Sequence, residues 1–197
     1  MTGRFITFEG IDGSGKTTIS QEIYSRLHKK NKEIMLTREP TDTWIGAMVT
    51  NAIEKKCNPL TISLLFMADR YEHVIQIRKW LEKKDIVLCD RYMDSTFAYQ
   101  TAQLSQDMKD PLGWLQNIHH LFYLEPDLTF LFVIEPQKAL ERITRKRSAF
   151  EKKTFLEEVQ KNYLALAKND KRFIVLDATL SINELTKRCL DKINNIQ

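Results

Sequence analysis

Residues 5–18 contain the feature that most constrains how this chain can fold. They include Gly10-x-x-x-x-Gly15-Lys16-Thr17, a spacing in which glycines let the backbone turn tightly and approach an anion. An apolar run precedes the motif, as in a buried strand, and a helical repeat of apolar residues follows it. This order predicts a phosphate-binding loop between a strand and a helix. The alternative is a glycine-rich turn that happens to precede a helix.

The residue types in this loop have separate physical roles. Backbone N–H groups and the start of the following helix attract anions. In such loops the lysine reaches the β- and γ-phosphates of a nucleotide, and the hydroxyl residue after it ligates Mg²⁺. We therefore assign nucleotide phosphate binding to the whole loop, which consists of Gly10, Ile11, Asp12, Gly13, Ser14, Gly15, Lys16, Thr17 and Thr18.

Short apolar runs alternate with helical patterns along the rest of the chain. The runs predict strands at 4–9, 33–37, 86–90, 128–134 and 173–177. Helices are expected at 16–30, 43–55, 60–83, 93–104, 111–121, from 136 onward, in a segment ending near 168, and at 181–194. Five strands alternating with helices are typical of an α/β fold with a parallel sheet covered on both faces. The length of 197 residues suits one domain, 1–197.

Charged residues follow three of the predicted strands. Asp12, Arg38, Asp90 and Arg91 should lie at the carboxyl edge of the sheet, where such folds bind ligands. Guanidinium groups bind phosphate oxygens in pairs, so two arginines beside a nucleotide suit a second phosphate. Each arginine alone could instead be a surface residue or part of a salt bridge.

Two further pairs of residues lie one helical turn apart. Phe66 and Arg70 could stack on a base and donate to its carbonyl, or Phe66 could belong to the core with Arg70 solvated. Ser95 and Tyr99 could read another edge of the base or pack over a sugar, or be ordinary helix residues.

The composition limits which cellular compartment and which binding partners we expect for this protein. The net charge of +4 is too mild to indicate nucleic-acid binding. The three cysteines are widely spaced, which favours reduced thiols and the cytoplasm. Residues 1–9 lead directly into a strand, so we expect no signal peptide. The longest apolar runs, around 59–68 and 128–134, are too short to span a membrane.

The motifs together resemble the thymidylate kinase family. The resemblance covers nearly the whole chain, and the combination of Arg-Glu-Pro, Ala-Asp-Arg and Asp-Arg-Tyr is its specific part. The matching segments are Phe8-Glu-Gly-Ile-Asp-Gly-Ser-Gly-Lys-Thr-Thr18, Thr37-Arg-Glu-Pro40, Leu65-Phe-Met-Ala-Asp-Arg70, Asp90-Arg-Tyr92 with Ser95, Ala98-Tyr-Gln100, Phe155-Leu-x-x-Val159 with Tyr163, and Asp177-Ala-Thr179.

The resemblance implies a P-loop kinase that transfers the γ-phosphoryl group of ATP to thymidine monophosphate (dTMP), with Mg²⁺. It also implies a homodimer formed through the long helices. The implied dTMP-binding residues are Asp12, Arg38, Phe66, Arg70, Arg91, Ser95, Thr96 and Tyr99. The implied catalytic residues are Asp12, Lys16, Arg91 and Arg145; Thr17 and Asp90 would serve the metal, and Arg142, Ala178 and Thr179 would contact adenine.

The resemblance also implies a helical lid at about 142–153, and the sequence departs from the family there. The family usually has an Asp-Arg pair before Phe150-Glu151, where this chain has Ser148-Ala149. Arg145 is our candidate for the catalytic lid cation, with Arg142, Lys146 and Arg147 as alternatives. Within the family, a glycine at position 13 accompanies a lid that supplies this cation. A further departure is Thr41-Asp42-Thr43, which replaces the usual Gly-Gly-Thr.

Two other functions remain open at this point. A deoxynucleoside kinase of the same fold would phosphorylate thymidine itself and would need no second arginine. A non-catalytic regulatory module would bind ATP without turnover, and the paired arginines argue against it.

Overall fold

The computed structural model describes residues 3–30, 32–143 and 149–195, without the side chains of 149–152. These residues form five strands and eight helices. The strands are β1 (Arg4–Gly10), β2 (Ile34–Arg38), β3 (Ile86–Asp90), β4 (Leu128–Val133) and β5 (Phe173–Asp177). The helices are α1 (Lys16–His28), α2 (Trp44–Glu54), α3 (Pro59–Leu81), α4 (Met93–Leu104), α5 (Pro111–His119), α6 (Pro136–Arg142), α7 (Ala149–Ala167) and α8 (Ile182–Asn194).

The strands form one parallel sheet in the order β2-β3-β1-β4-β5. The predicted five-stranded parallel sheet is therefore confirmed. Its register aligns the strand ends that carry polar residues: Asp90 pairs with Phe8 on one side and with Arg38 on the other. This register also explains why β2 ends at Arg38, one residue later than predicted.

Helices cover both faces of the sheet because β1 buries alternate side chains in opposite directions. Ile6 and Phe8 belong to the core cluster that includes Ile19 of α1 and Leu185 of α8. Phe5 belongs to a second cluster, which contains side chains of α3, α4 and α5. The chain thus leaves β1 through α1 on one face and leaves β3 through α4 on the other. When the connections that follow two adjacent strands lie on opposite faces of the sheet, a crevice opens at the carboxyl ends of those strands.

Local sequence signals set the helix boundaries. The Asn58 side chain accepts a hydrogen bond from the Leu60 N–H, and Pro59 occupies the first turn of α3. Asp110 caps α5 in the same way, with Pro111 in the first turn.

In the predicted lid, α6 ends at Arg142 and residues 144–148 lie outside the described part of the chain. Among the described residues, no helix has the length and apolar character needed to cross a bilayer.

Candidate active site

The phosphate loop joins β1 to α1 at the crevice. Gly10 and Gly13 have φ angles of 141° and 82°, which side chains rarely tolerate. A Cβ at Gly10 would also overlap the carbonyl oxygen of Phe132, and one at Gly13 would overlap the carbonyl oxygen of Ala139 in α6. The glycines are therefore required both by the turn and by close packing of β4 and α6 on the loop.

A cavity of about 580 Å³ opens in front of this loop; we call it the nucleotide cavity, after the ligand that the loop motif predicts. The Lys16 ammonium is buried beside it and donates to the Ile11 carbonyl oxygen at 2.9 Å. Burial, and secondly the nearby Arg91, lowers the pKa of Lys16 to about 7. The buried Ser14 hydroxyl has no hydrogen-bond partner within the described part of the chain. A bound phosphate would supply the missing partner and would favour the charged lysine.

The oxygens of Thr17 and Asp90 lie at the edge of this cavity, where they suit a magnesium ion. The Thr17 hydroxyl donates to Asp90 Oδ2 at 2.5 Å. Asp90 Oδ1 is buried and has no partner among residues 3–30, 32–143 and 149–195. In the same residues, no group of three or more His, Cys, Asp or Glu side chains could hold an ion. This donor set fits Mg²⁺, which keeps several waters and is commonly held by one or two protein ligands plus substrate phosphates.

Arg91 lies between the nucleotide cavity and two neighbouring cavities, and its side chain lines all three. It directly follows β3 and has a positive φ of 68°. Its guanidinium pairs with Asp12 and donates to Ser95 Oγ at 3.1 Å and to the Gly10 carbonyl oxygen at 3.3 Å. These contacts hold its positive charge where the three cavities meet.

Asp12 is the counterion of Arg91. Burial pushes the pKa of Asp12 up, but Arg91 and Lys16 together pull it below its usual value. The backbone N–H of Asp12 donates to the Tyr99 hydroxyl at 3.0 Å. Asp12 thus holds Arg91 through its ionised carboxylate and contacts α4 through its backbone N–H.

The second cavity, of about 300 Å³, has one polar and one apolar wall, an arrangement that could accept a flat ring with polar edges. Its polar wall contains Arg70, Ser95, Thr96 and Tyr99, and its apolar wall contains Pro40, Ile53, Ile62, Phe66 and Phe155. Phe66 is half-buried on this wall, and Arg70 has only 1% of its surface exposed. The alternative of a core Phe66 with a solvated Arg70 is therefore wrong. The Thr96 hydroxyl is buried without a partner in the described chain, so a ligand in this cavity could bond to it.

The third cavity brings Arg38 and Arg91 together, as the strand ends predict. Thr17 and Asp90, the two candidate magnesium ligands, line the same cavity. Arg38 is exposed and bonds to Asp42 Oδ1 at 2.5 Å. A phosphate entering here would compete with Asp42 for Arg38.

The loop after β5 and the end of α6 close the nucleotide cavity on its far side. Arg142 donates to the carbonyl oxygens of Ala178 at 3.1 Å and of Gly13 at 3.4 Å. Ala178 lines the cavity, whereas the Thr179 hydroxyl donates to Asp177 at 2.7 Å. Sequence reasoning missed three apolar residues of this wall, Leu180, Ile182 and Leu185. Arg145 lies outside the described residues.

Sequence reasoning also missed a buried carboxylate behind Arg91. Glu9 accepts hydrogen bonds from the Tyr92 N–H at 2.7 Å, Ser95 Oγ at 2.6 Å and Tyr163 Oη at 3.0 Å. Burial, and secondly Asp94, raises the pKa of Glu9 to about 7. An acidic residue directly after the apolar Phe8 in a predicted buried strand was the signal that could have identified it.

Comparison with known proteins shows the family of the chain. The model of the thymidylate kinase family matches residues 8–189. A protein named "Probable thymidylate kinase" from Methanococcoides burtonii is 41% identical over 200 residues, covering 100% of this chain and 98% of its own length. Proteins of the same name from Methanoculleus marisnigri and Sulfurisphaera tokodaii are 43% and 42% identical, over 92% and 96% of this chain and 90% and 95% of their own lengths. The resemblance seen in the motifs is thus confirmed, and the chain belongs to the thymidylate kinase family.

Proposed function

We propose that this protein is a thymidylate kinase, which transfers the γ-phosphoryl group of ATP to dTMP and so supplies thymidine diphosphate for dTTP synthesis. The observation that carries this proposal is the position of Arg91, which lines the nucleotide cavity, the base cavity and the Arg38 cavity. A kinase with two phosphorylated substrates needs a cation at their junction.

The ATP half of the site consists of the phosphate loop and the far wall of its cavity. The loop N–H groups and Lys16 bind the β- and γ-phosphates. Thr17 and Asp90 would hold Mg²⁺, which when bound neutralises phosphate charge. We expect adenine to contact Arg142 and Ala178, a proposal supported by their place on the far wall of the cavity, and Thr179 is proposed from the family resemblance alone.

The dTMP half of the site consists of the base cavity and the two arginines beside it. Phe66 stacks on thymine, while Arg70 and Thr96 bond to its polar edge. Tyr99, with Ser95, would border the sugar, and from the family resemblance we expect the Tyr99 ring to crowd a ribose 2′-hydroxyl and so to favour deoxyribose. Arg38 and Arg91 hold the monophosphate.

The reaction needs positioning and charge neutralisation more than proton transfer. A dTMP phosphate oxygen attacks the γ-phosphorus, and the bond from that phosphorus to the β–γ bridging oxygen breaks as ADP leaves. The attacking oxygen is already anionic, so a general base is not required. Lys16 and Arg91 stabilise the developing charge, and Asp12 keeps Arg91 in place. We assign the lid cation to Arg145.

We also propose that the protein forms a homodimer and works in the cytoplasm. Leu60, Leu64 and Tyr71 of α3 are large apolar side chains exposed to solvent, and a second copy of the chain would cover them in a homodimer. The cysteines are free, in keeping with a reducing cytoplasm. We propose no nucleic-acid or membrane partner. Light scattering of the purified protein tests the dimer, and a monomer at micromolar concentration would contradict it.

An assay of ADP release with MgATP and a panel of acceptors tests the function. We expect turnover with dTMP to exceed that with dCMP, dAMP and dGMP, and to stop when EDTA removes magnesium. Equal rates with all monophosphates would refute the proposal. Preferential phosphorylation of thymidine would identify a deoxynucleoside kinase, and ATP binding without acceptor-dependent turnover would identify a regulatory module.

A further inference from the structure

Arg70, which we propose binds the polar edge of the base, has hydrogen-bond partners on two sides of its guanidinium group. On one side, Nε donates to Glu39 Oε2 at 2.8 Å, and Nη2 bonds to the same oxygen. On the other side, Nη1 lies 2.7 Å from His119 Nε2. Arg70 and His119 are both almost completely buried.

The contacts of His119 determine its tautomer. Its Nδ1 lies 2.9 Å from the carbonyl oxygen of Leu115, which can only accept a hydrogen bond. Nδ1 therefore carries the proton, and Nε2 accepts from Arg70. Burial, and secondly Arg70, lowers the pKa of His119 to about 3, so the ring is neutral at physiological pH. The rings of Phe97 and Phe122, at centroid distances of 4.8 and 5.2 Å, fix its orientation.

These contacts leave part of the guanidinium unused. Arginine has five N–H groups: one on Nε and two on each terminal nitrogen. Glu39 takes the Nε–H and one N–H of Nη2, and His119 takes one N–H of Nη1. One N–H on each terminal nitrogen therefore remains for a ligand, and Arg70 lines the base cavity.

We propose that His119 is a positioning residue for base recognition: by accepting one Nη1 hydrogen of Arg70, it directs the remaining donors toward a carbonyl at position 4 of a pyrimidine. Without this acceptor, Glu39 would be the one hydrogen-bond partner of the guanidinium among the described contacts, and the Tyr92 ring, 5.3 Å from Cζ, would pack on its face without fixing its rotation in the plane. The donors select thymine over cytosine, whose 4-amino group presents hydrogens where the site needs an acceptor. This inference rests on the proposed function and names a selectivity determinant within it.

A pair of substitutions separates positioning from general structural support. In His119→Asn, the shorter amide can keep the bond to Leu115 but cannot reach Arg70. In His119→Gln, one more methylene puts the amide oxygen near the place of Nε2, so it can accept from Arg70. His120→Asn is the matched control, because His120 is the next residue and is exposed.

The assay measures kcat/KM for dTMP and dCMP, together with KM for ATP. We expect His119→Asn to raise the KM for dTMP and to lower the dTMP-to-dCMP ratio of kcat/KM roughly tenfold. KM for ATP should stay within about twofold of the wild type, because the phosphate loop is untouched. His119→Gln should recover most of the ratio, and His120→Asn should match the wild type.

The outcomes distinguish this inference from the proposed function. A wild-type protein that does not prefer dTMP would overturn the proposed function and this inference with it. A wild-type preference that survives in His119→Asn would overturn the inference alone. If thermal unfolding shows that His119→Asn is not folded, His119→Leu replaces it as the variant without an acceptor, and an unchanged ratio there is equally contradictory.

Discussion

Replacing Arg91 with alanine tests the centre of the proposed mechanism. Arg91 lines all three cavities, and 20% of its side chain is exposed. It pairs with Asp12 and donates to Ser95 and the Gly10 carbonyl oxygen. The substitution removes a preorganised cation from the junction of two anionic substrates. It also leaves Asp12 without its counterion beside the incoming phosphates.

The expected loss follows from what a preorganised donor contributes. Removing one donor aimed at developing charge costs about 3–4 kcal/mol, or roughly 10²–10³ in kcat. Arg91 serves both phosphates, so we expect Arg91→Ala to reach the upper part of this range. A double variant, Arg91→Ala with Asp12→Asn, also removes the unpaired negative charge of Asp12. This double variant should therefore recover part of the kcat that Arg91→Ala loses.

Steady-state kinetics with MgATP and dTMP measure this effect. Arg91→Lys keeps the charge but not the planar fork, so its activity should be intermediate. Arg188→Ala removes an exposed arginine that pairs with Glu184 on α8, and serves as the matched control. A kcat for Arg91→Ala within about threefold of the wild type would refute the role of Arg91, since a clamp that matters for catalysis is worth far more.

Three further substitutions have expected outcomes. The pKa of Lys16 is about 7 in the folded protein and about 10.4 when unfolded, so the unfolded state binds more protons between these values and stability rises with pH. The stability advantage of Lys16→Met over the wild type, measured by urea unfolding without nucleotide, should therefore shrink from pH 7 to pH 10; a constant difference would contradict this. Asp42→Asn releases the exposed Arg38 and should lower the KM for dTMP by up to about fivefold with kcat unchanged, whereas a higher KM would show that Asp42 helps binding. Asp69 is buried and accepts from the Thr41 N–H at 2.8 Å and hydroxyl at 2.5 Å, so Asp69→Asn should lower the free energy of unfolding by about 2 kcal/mol; unchanged thermal and urea unfolding would argue against this role.

Local spacing was enough to predict the phosphate loop and the meeting of Arg38 with Arg91. The loop motif specifies its own backbone, and parallel strands bring their carboxyl ends to one edge whatever the helices between them do. Residues that follow strand ends can therefore be placed from the order of the elements alone. The same reasoning does not extend to side chains within long helices, which is why the environment of Phe66 and Arg70 stayed open.

The contacts that support Arg70 could not be read from the sequence. Glu39 was visible within the Arg-Glu-Pro motif, but nothing local indicated that it would bury its charge against a residue 31 positions away. His119 lies 49 positions from Arg70, in a segment with no diagnostic pattern. Contacts between residues so far apart depend on how α3 and α5 pack against the rest of the fold, and this packing produces no periodic pattern in the sequence. The lid prediction, including Arg145, still awaits a test.

The contact between Gly13 and α6 limits how this enzyme could evolve. The family resemblance links a glycine at position 13 to a lid that supplies the catalytic cation, and a cation supplied by the loop instead would start with a side chain at this position. Here such a side chain would meet both a positive φ and the backbone of Ala139. A single mutation would therefore damage the loop before it supplied a cation. Moving the source of the cation to the phosphate loop would therefore require the connection from β4 to α6 to move as well.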